Sequence, residues 1–274
     1  MNLNDIKRLS ELAHNLRIRA LKMAYECGNN GSHLGGGLSA IEIFAVLYGG
    51  ILRFDINNPL NIERDRLIVS KGHCVLAYYT ALKEAGFLSE DDLRSFEVNG
   101  SGLHGHACRA PEKGIEFSGG SLGMGLSYAI GVALSGKIRN LPYNVYVIIG
   151  DGECNEGIIW ESLMSAAHFN LTNLTVIIDY NKLQYDGAVT DVMNMGNLRN
   201  KFESFGFHVS DVDGHNVREL FESLGGKWTK PNAILANTIK GKGVSFMENR
   251  KEWHHSRLSL EQYNAALKEL GATN

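Results

Sequence analysis

Two apolar runs and what ends them constrain this chain most. The run at 145–149 stops at Gly150-Asp151-Gly152, and the run at 174–178 stops at Asp179-Tyr180-Asn181. Between them Ile158, Ile159, Leu163, Ala166 and Ala167 recur at helical spacing and can share one face. Strand, helix and strand of this length make a βαβ unit, whose crossover leaves its two strands parallel. Neighbouring strands lie ~4.8 Å apart, so the Asp151 carboxylate and the Asn181 amide oxygen would leave the same end of the sheet together. Open α/β sheets bind ligands at that carboxyl end. Two hard oxygen donors beside glycines suit a divalent cation, Mg²⁺ above all, holding a diphosphate.

The remaining chain repeats the alternation. Residues 3–27 read as an amphipathic helix, 29–37 as a glycine-rich loop, and 38–48 as an apolar helix with Ser39 and Glu42 at capping-box spacing. A short strand at 65–69 leads into Ser70-Lys71-Gly72-His73 and a helix to about 85, followed by a shorter helix after Ser89. Residues 99–120 show little periodicity; the glycines from 120 to 125 then open a long helix of small residues. Beyond the central unit come a loop at 183–194, a helix at 197–205, a strand at 208–212 and a turn, 213–216, that caps a helix to about 224. A strand at 232–239, a polar loop to 257 and a final helix at about 259–270 complete the chain. The pattern predicts one α/β domain over 1–274: a doubly wound, largely parallel sheet with helices on both faces.

Bulk properties narrow the function classes. A net charge of −3 offers no electrostatic reason for nucleic acid or an anionic membrane as partner. No apolar run nears the ~20 residues that span a bilayer, and the N-terminus lacks a secretory signal. Cys27, Cys74, Cys108 and Cys154 form no C-x-x-C pair, which argues against a zinc cluster or disulfide framework and for a cytoplasmic location. The 31 glycines cluster in three stretches, as ligand loops do.

Several residues could carry chemistry, each beside a plainer reading. His33, in a glycine loop, could sit over a ligand or be exposed in a turn; His73 stands at a strand's ligand edge or merely starts a helix. His104 and His106 have metal-pair spacing without a third ligand, so at most one should face a substrate. Gly120-x-x-Gly123-x-Gly125 departs from the strict dinucleotide order and fits better a helix N-terminus offering amides, or close helix packing. No Gly-Lys-Ser/Thr follows Gly150, so a phosphate would be reached through a metal. Glu153 and Glu156 are either site or interface acids or residues favoured by a helix dipole. His215 reads as a turn residue, and the stretch 253–255 as a lid or an exposed loop.

Taken in order, GSHLGGGLSAIE, DRLIVSKGHC, GLHGHAC, GGSLGMGLS, GDGECNEGIIWE, DYNKLQYDG and KGKGVSFMENRKEWHH resemble the N-terminal half of transketolase, over nearly the whole chain. The resemblance implies the thiamine diphosphate-binding fold, with thiamine diphosphate and Mg²⁺ as cofactors. It implies Asp151, Asn181 and the Leu183 carbonyl as metal ligands, and His33, His73, His106 and His254 as active-site histidines. For cofactor contacts it implies His73, Gly120, Ser121, Leu122, Gly123, Gly152, Glu153 and Asn181, with Glu156 as a dimer-interface acid coupled to the cofactor. Three positions depart from the pattern: Ala107 for proline, Met124 for glutamine and His255 for glycine. Full-length transketolases continue for roughly two more domains, which carry the activating glutamate and most sugar-phosphate ligands. The resemblance therefore implies one half of a split transketolase, paired in an α₂β₂ assembly with a separate C-terminal subunit. Such an enzyme acts on sugar phosphates. Its substrate would come from the pentose phosphate series or from a specialised pathway using apulose 4-phosphate, a sulfo-sugar or an aromatic precursor. A non-catalytic cofactor-binding module is the reading from another class.

Overall fold

The computed structural model describes residues 2–272. Five strands, β1 (Arg66–Val69), β2 (Val145–Gly150), β3 (Leu174–Tyr180), β4 (His208–Asp213) and β5 (Asn232–Asn237), form one sheet in the order β1-β2-β3-β5-β4. Every pairing is parallel. The βαβ expectation holds: β2 and β3 are neighbours, with Gly150 opposite Asp179. Both strands are buried on two faces, which is why they read as continuous apolar runs rather than alternating ones. On β2, Tyr146 and Ile148 enter one core while Val145, Val147 and Ile149 enter the other.

Helices cover both faces, as the doubly wound pattern predicts. Against the first pack α1 (Leu3–Glu26), α2 (Leu34–Leu38), α3 (Ile41–Val46), α4 (Val75–Glu84), α5 (Glu90–Arg94), α10 (Val217–Leu224) and α11 (Leu260–Glu269). Against the second pack α6 (Met124–Ile138), α7 (Gly157–His168), α8 (Val189–Met193) and α9 (Leu198–Ser204). Capping sets several starts: Asn2 with Asp5 opens α1, Ser89 with Asp92 opens α5, and Ser259 with Gln262 opens α11. No helix among the described residues is long and apolar enough to cross a membrane.

Four local expectations give way to tertiary contacts. The loop expected at 29–37 contains α2, because burial of Leu34 and Leu38 outweighs the poor helix propensity of three glycines. Ser39 and Glu42 do not form a capping box. The N-cap of α3 is Ala40, without a side-chain bond; Glu42 instead pairs with Arg17 at 2.6 Å and with His215 Nδ1 at 2.9 Å. His215 is more than a turn residue, since its Nε2 also accepts from the Ile239 amide at 2.8 Å. The stretch read as a loop after Leu183 includes α8.

The start of α6 is set by close approach. A Cβ on Gly125 would lie 2.5 Å from Ser70 Cβ and 2.7 Å from its Cα, and the Gly125 amide donates to Ser70 Oγ at 3.1 Å. Gly125→Ala is expected to cost about 1–3 kcal/mol of stability by overpacking. Urea unfolding measures this, and an unchanged midpoint would contradict the packing described.

Candidate active site

A cavity of about 170 Å³ opens at the carboxyl ends of β1, β2 and β3, between residues 150–153, 181–185, His73 and His254. Beneath it lies Asp179, the last inward residue of β3. Its Oδ2 accepts from Ser39 Oγ at 2.6 Å, from Asn181 Nδ2 at 3.2 Å and from the Lys71 ammonium. Its Oδ1 accepts from Thr238 Oγ1. Lys71 also donates to the Gly36 carbonyl at 3.1 Å, and both charged groups are fully buried. Burial opposes ionisation of Asp179, yet the adjacent Lys71 and the hydroxyl donors hold its carboxyl below the usual range. Burial likewise opposes the charge on Lys71, and Asp179 raises it. Sequence reasoning singles out neither residue: Lys71 stands in the motif before His73, and Asp179 reads as the end of a strand.

The three expected cation donors border this cavity. Asp151 is buried, with Oδ1 accepting from the Gly152 amide at 2.8 Å and Oδ2 from the Lys182 amide at 2.5 Å. Burial, with the nearby Asp179 charge, pushes its carboxyl up to about 6. A carboxylate whose charge is disfavoured in this way gains from a cation beside it. Asn181 donates from Nδ2 to Asp179 and accepts at Oδ1 from the Leu183 amide at 3.1 Å, which fixes its amide orientation. The Leu183 carbonyl accepts from Lys240 Nζ at 3.0 Å. Carboxylate, amide and carbonyl oxygens are the donor set of a hard cation.

Only one member of that set is a carboxylate. Among the described residues no group of three or more His, Cys, Asp and Glu could hold a metal. A Mg²⁺ here would therefore need phosphate oxygens and water to complete its shell, as Mg²⁺ sites commonly do. Gln184 supplies an independent sign of fit: it lines the cavity, and its Nε2 is buried without a partner. An amide donor there suits an anionic oxygen. Sequence reasoning misses Gln184 and Lys240, because neither type marks a site without its neighbours.

The expected cofactor loop is held from below. Glu153 accepts at Oε1 from the Gly123 amide at 2.7 Å and from Ser70 Oγ, and at Oε2 from the Gly150 amide at 3.0 Å. Its carboxylate thus ties the 120–125 loop and the loop after β1 to the Gly150 turn, although the residue also borders the cavity. Gly152 and Leu122 line the cavity directly. Gly120 and Ser121 are exposed, with Gly120 beside His106. Glu156 is exposed at the N-cap of α7 and makes no side-chain cap bond.

The four expected histidines come together from four separate loops. His33 lies at the centre, with ring centroids 5.9 Å from His73, 5.1 Å from His106 and 5.6 Å from His254. His73 and His254 are 5.1 Å apart and line the cavity. His104 makes no such contact; its carbonyl accepts from Tyr79. Burial, aided by neighbouring imidazoles, pushes His33 down to about 3. Burial, with Lys240 and Lys71, does the same to His254, and burial with Lys71 holds His73 well below its usual value. These rings are neutral near pH 7, so each offers one N–H and one lone pair, matching a sugar hydroxyl. Lys240 Nζ lies 2.9 Å from His254 Nδ1. With the ammonium donating, Nδ1 accepts and the His254 proton sits on Nε2. His73 is pressed against α2: a Cβ on Gly36 would lie 2.6 Å from its ring.

Two outcomes test this geometry. Asp179→Ala strands the buried Lys71 charge and is expected to cost about 3–5 kcal/mol, whereas Asp179→Leu with Lys71→Met should cost much less. Equal losses in urea unfolding would contradict that pairing. Asp151→Ala and Asn181→Ala should each weaken Mg²⁺-dependent pyrophosphate binding by about 100-fold with little loss of stability; calorimetry showing unchanged affinity would refute the donor assignment.

Comparisons with known proteins place the chain among its relatives. The chain is 40% identical over 264 residues to the 6-deoxy-6-sulfo-D-fructose transketolase subunit of Clostridium sp. strain MSTE9, covering 95% of this chain and 96% of that one. It is 37% identical to a subunit of the apulose-4-phosphate transketolase of Phocaeicola vulgatus, over 93% and 90% of the two chains. Transketolase from Leishmania mexicana superposes with a TM-score of 0.88 at 28% identity, over 96% of this chain and 41% of that one. The chain thus spans about two fifths of that enzyme. The family model for the transketolase thiamine diphosphate-binding domain matches residues 10–274. On that match the chain belongs to the transketolase family, through its thiamine diphosphate-binding domain.

Proposed function

We propose that this chain is the N-terminal subunit of a two-component transketolase. It moves a two-carbon ketol unit from a ketose phosphate to an aldose phosphate, with thiamine diphosphate and Mg²⁺. The observation that carries this reading is the neutral histidine cluster opening onto the oxygen donors of Asp151, Asn181 and Leu183. A module that only bound the diphosphate would have no need of the cluster. Thiamine diphosphate, when bound, supplies the electron sink for breaking the carbon–carbon bond. Asp151, Asn181 and the Leu183 carbonyl would hold the cation, and Gln184, with its unpartnered Nε2, would meet the diphosphate. His33 and His73, each with a donor and an acceptor, orient the sugar hydroxyls and carry their protons, and His254 offers them its Nε2 N–H.

The two split-enzyme relatives are both named as subunits, which supports a separate partner chain here. We place the pair as an α₂β₂ heterotetramer in the cytoplasm, the latter on the support of four unpaired cysteines. Glu156, exposed next to the 120–125 loop, is positioned to meet that partner. Those relatives' substrates, 6-deoxy-6-sulfo-fructose and apulose 4-phosphate, also favour a second reading of the substrate, in which the donor belongs to a specialised pathway. Of the departures from the family pattern, Ala107 is buried directly after His106.

The test is reconstitution. The chain is combined with its co-purified partner, thiamine diphosphate, Mg²⁺, xylulose 5-phosphate and ribose 5-phosphate. Ketol transfer is expected, and His254→Ala should lower kcat/KM by about 10²–10⁴-fold. Absence of transfer across a panel of ketose donors, including apulose 4-phosphate and 6-deoxy-6-sulfofructose, would overturn the proposal.

A further inference from the structure

One imidazole in contact with the cluster is not among the four expected histidines. His255 stands where the transketolase pattern has glycine. Its ring lies 4.6 Å from that of His33, edge to face at 72°, closer than any other histidine ring does to His33. It is exposed, whereas His33 and His254 are half-buried.

Backbone pairing fixes its place. Ser32 and Ser256 form an antiparallel bridge, with Ser32 N donating to Ser256 O at 2.9 Å and Ser256 N to Ser32 O at 3.0 Å. His33 and His255 are each one residue from the bridge, so a slip of either strand would separate the rings. A Cβ on Gly31 would lie 3.2 Å from His255 Cε1, so the ring sits over that glycine. His33 Nδ1, within the same group of rings, is buried and has no hydrogen-bond partner. Buried polar nitrogens are normally satisfied, so this one leaves a hydrogen-bonding position open within the ring group that His255 joins.

The cluster has a direction. His73 and His254 line the cavity beside Asp151, His33 comes next, and His106 and His255 lie beyond it. A sugar that reacts at the rim of the cavity, beside His73 and His254, would extend past His33 toward the outer rings. We infer that His255 is a specificity-determining contact that donates its imidazole N–H to the terminal anionic group of the sugar, a phosphate or a sulfonate. The inference rests on the transketolase reading above. It adds to the substrate-facing histidines one that the family pattern does not contain.

The experiment compares His255→Gly and His255→Gln with the unsubstituted chain, each assembled with the partner subunit. KM and kcat are measured for xylulose 5-phosphate and for unphosphorylated xylulose. One lost hydrogen bond to a charged group corresponds to about tenfold in affinity. KM for the phosphorylated donor should therefore rise about tenfold in His255→Gly, relative to its change for xylulose, and His255→Gln should recover part of it. An equal change for both donors, or none, would overturn the inference. A 6-sulfonated ketose in the same assay separates the sources: a larger effect on the sulfonate assigns the contact to sulfo-sugars, and a larger effect on the phosphate assigns it to sugar phosphates. The imidazole signals of the chain assembled with its partner, without thiamine diphosphate, followed by NMR on adding xylulose 5-phosphate, read the contact without turnover. Failure of ketol transfer would then sink the transferase reading alone, whereas an unmoved His255 signal would sink this inference alone.

Discussion

The site stands on a buried ion pair. Asp179 and Lys71 lie fully out of solvent, and the groups that satisfy them come from three separate segments. Ser39 reaches in from the turn after α2, Thr238 from the end of β5, and Asn181 from the end of β3 itself. A buried charge left unpaired costs several kcal/mol, so each segment is held to the others by the need to complete the network. Through Asn181 the same carboxylate orients a cation donor, and through Lys71 it anchors the Gly36 carbonyl beside the His73 ring. Position and charge at the site are thus set by one interaction below it.

Burial governs the chemistry above that floor as well. It raises the Asp151 carboxyl and depresses His33, His73 and His254, so charge is disfavoured on these four side chains. At the cation end the consequence is a carboxylate that gains from a metal. At the sugar end it is a group of neutral imidazoles able to donate and accept at once. Lys240 joins the two ends, donating to the Leu183 carbonyl on one side and His254 Nδ1 on the other.

Much of this is legible in the chain itself. The runs ending at Gly150 and Tyr180 announce a parallel pair, because strands buried on both faces must be apolar throughout. Asp151 and Asn181 follow from that pair by register, and the histidine loops from their ordered resemblance to a family. What stays hidden depends on distant partners. Ser39 looks like a helix cap and serves Asp179; His215 looks like a turn residue and joins Glu42 to the Ile239 amide. Glu153 borders the cavity, and its oxygens also tie three loops together. In each case a side chain with an acceptable local role finds a better partner far away in sequence, which no local spacing records.

The sequence by itself determined the class of fold, the parallel central unit and the types of atom available at its end, because periodicity and turn chemistry are local properties. Tertiary structure decided the strand order, with β5 inserted between β3 and β4. It also decided which histidines share a ring cluster, separating His106 from His104, and it brought His255 against His33 through a two-residue bridge. The physical reason is common to all of these: charge, protonation and orientation at the site come from burial and from partners that meet only when the chain is folded.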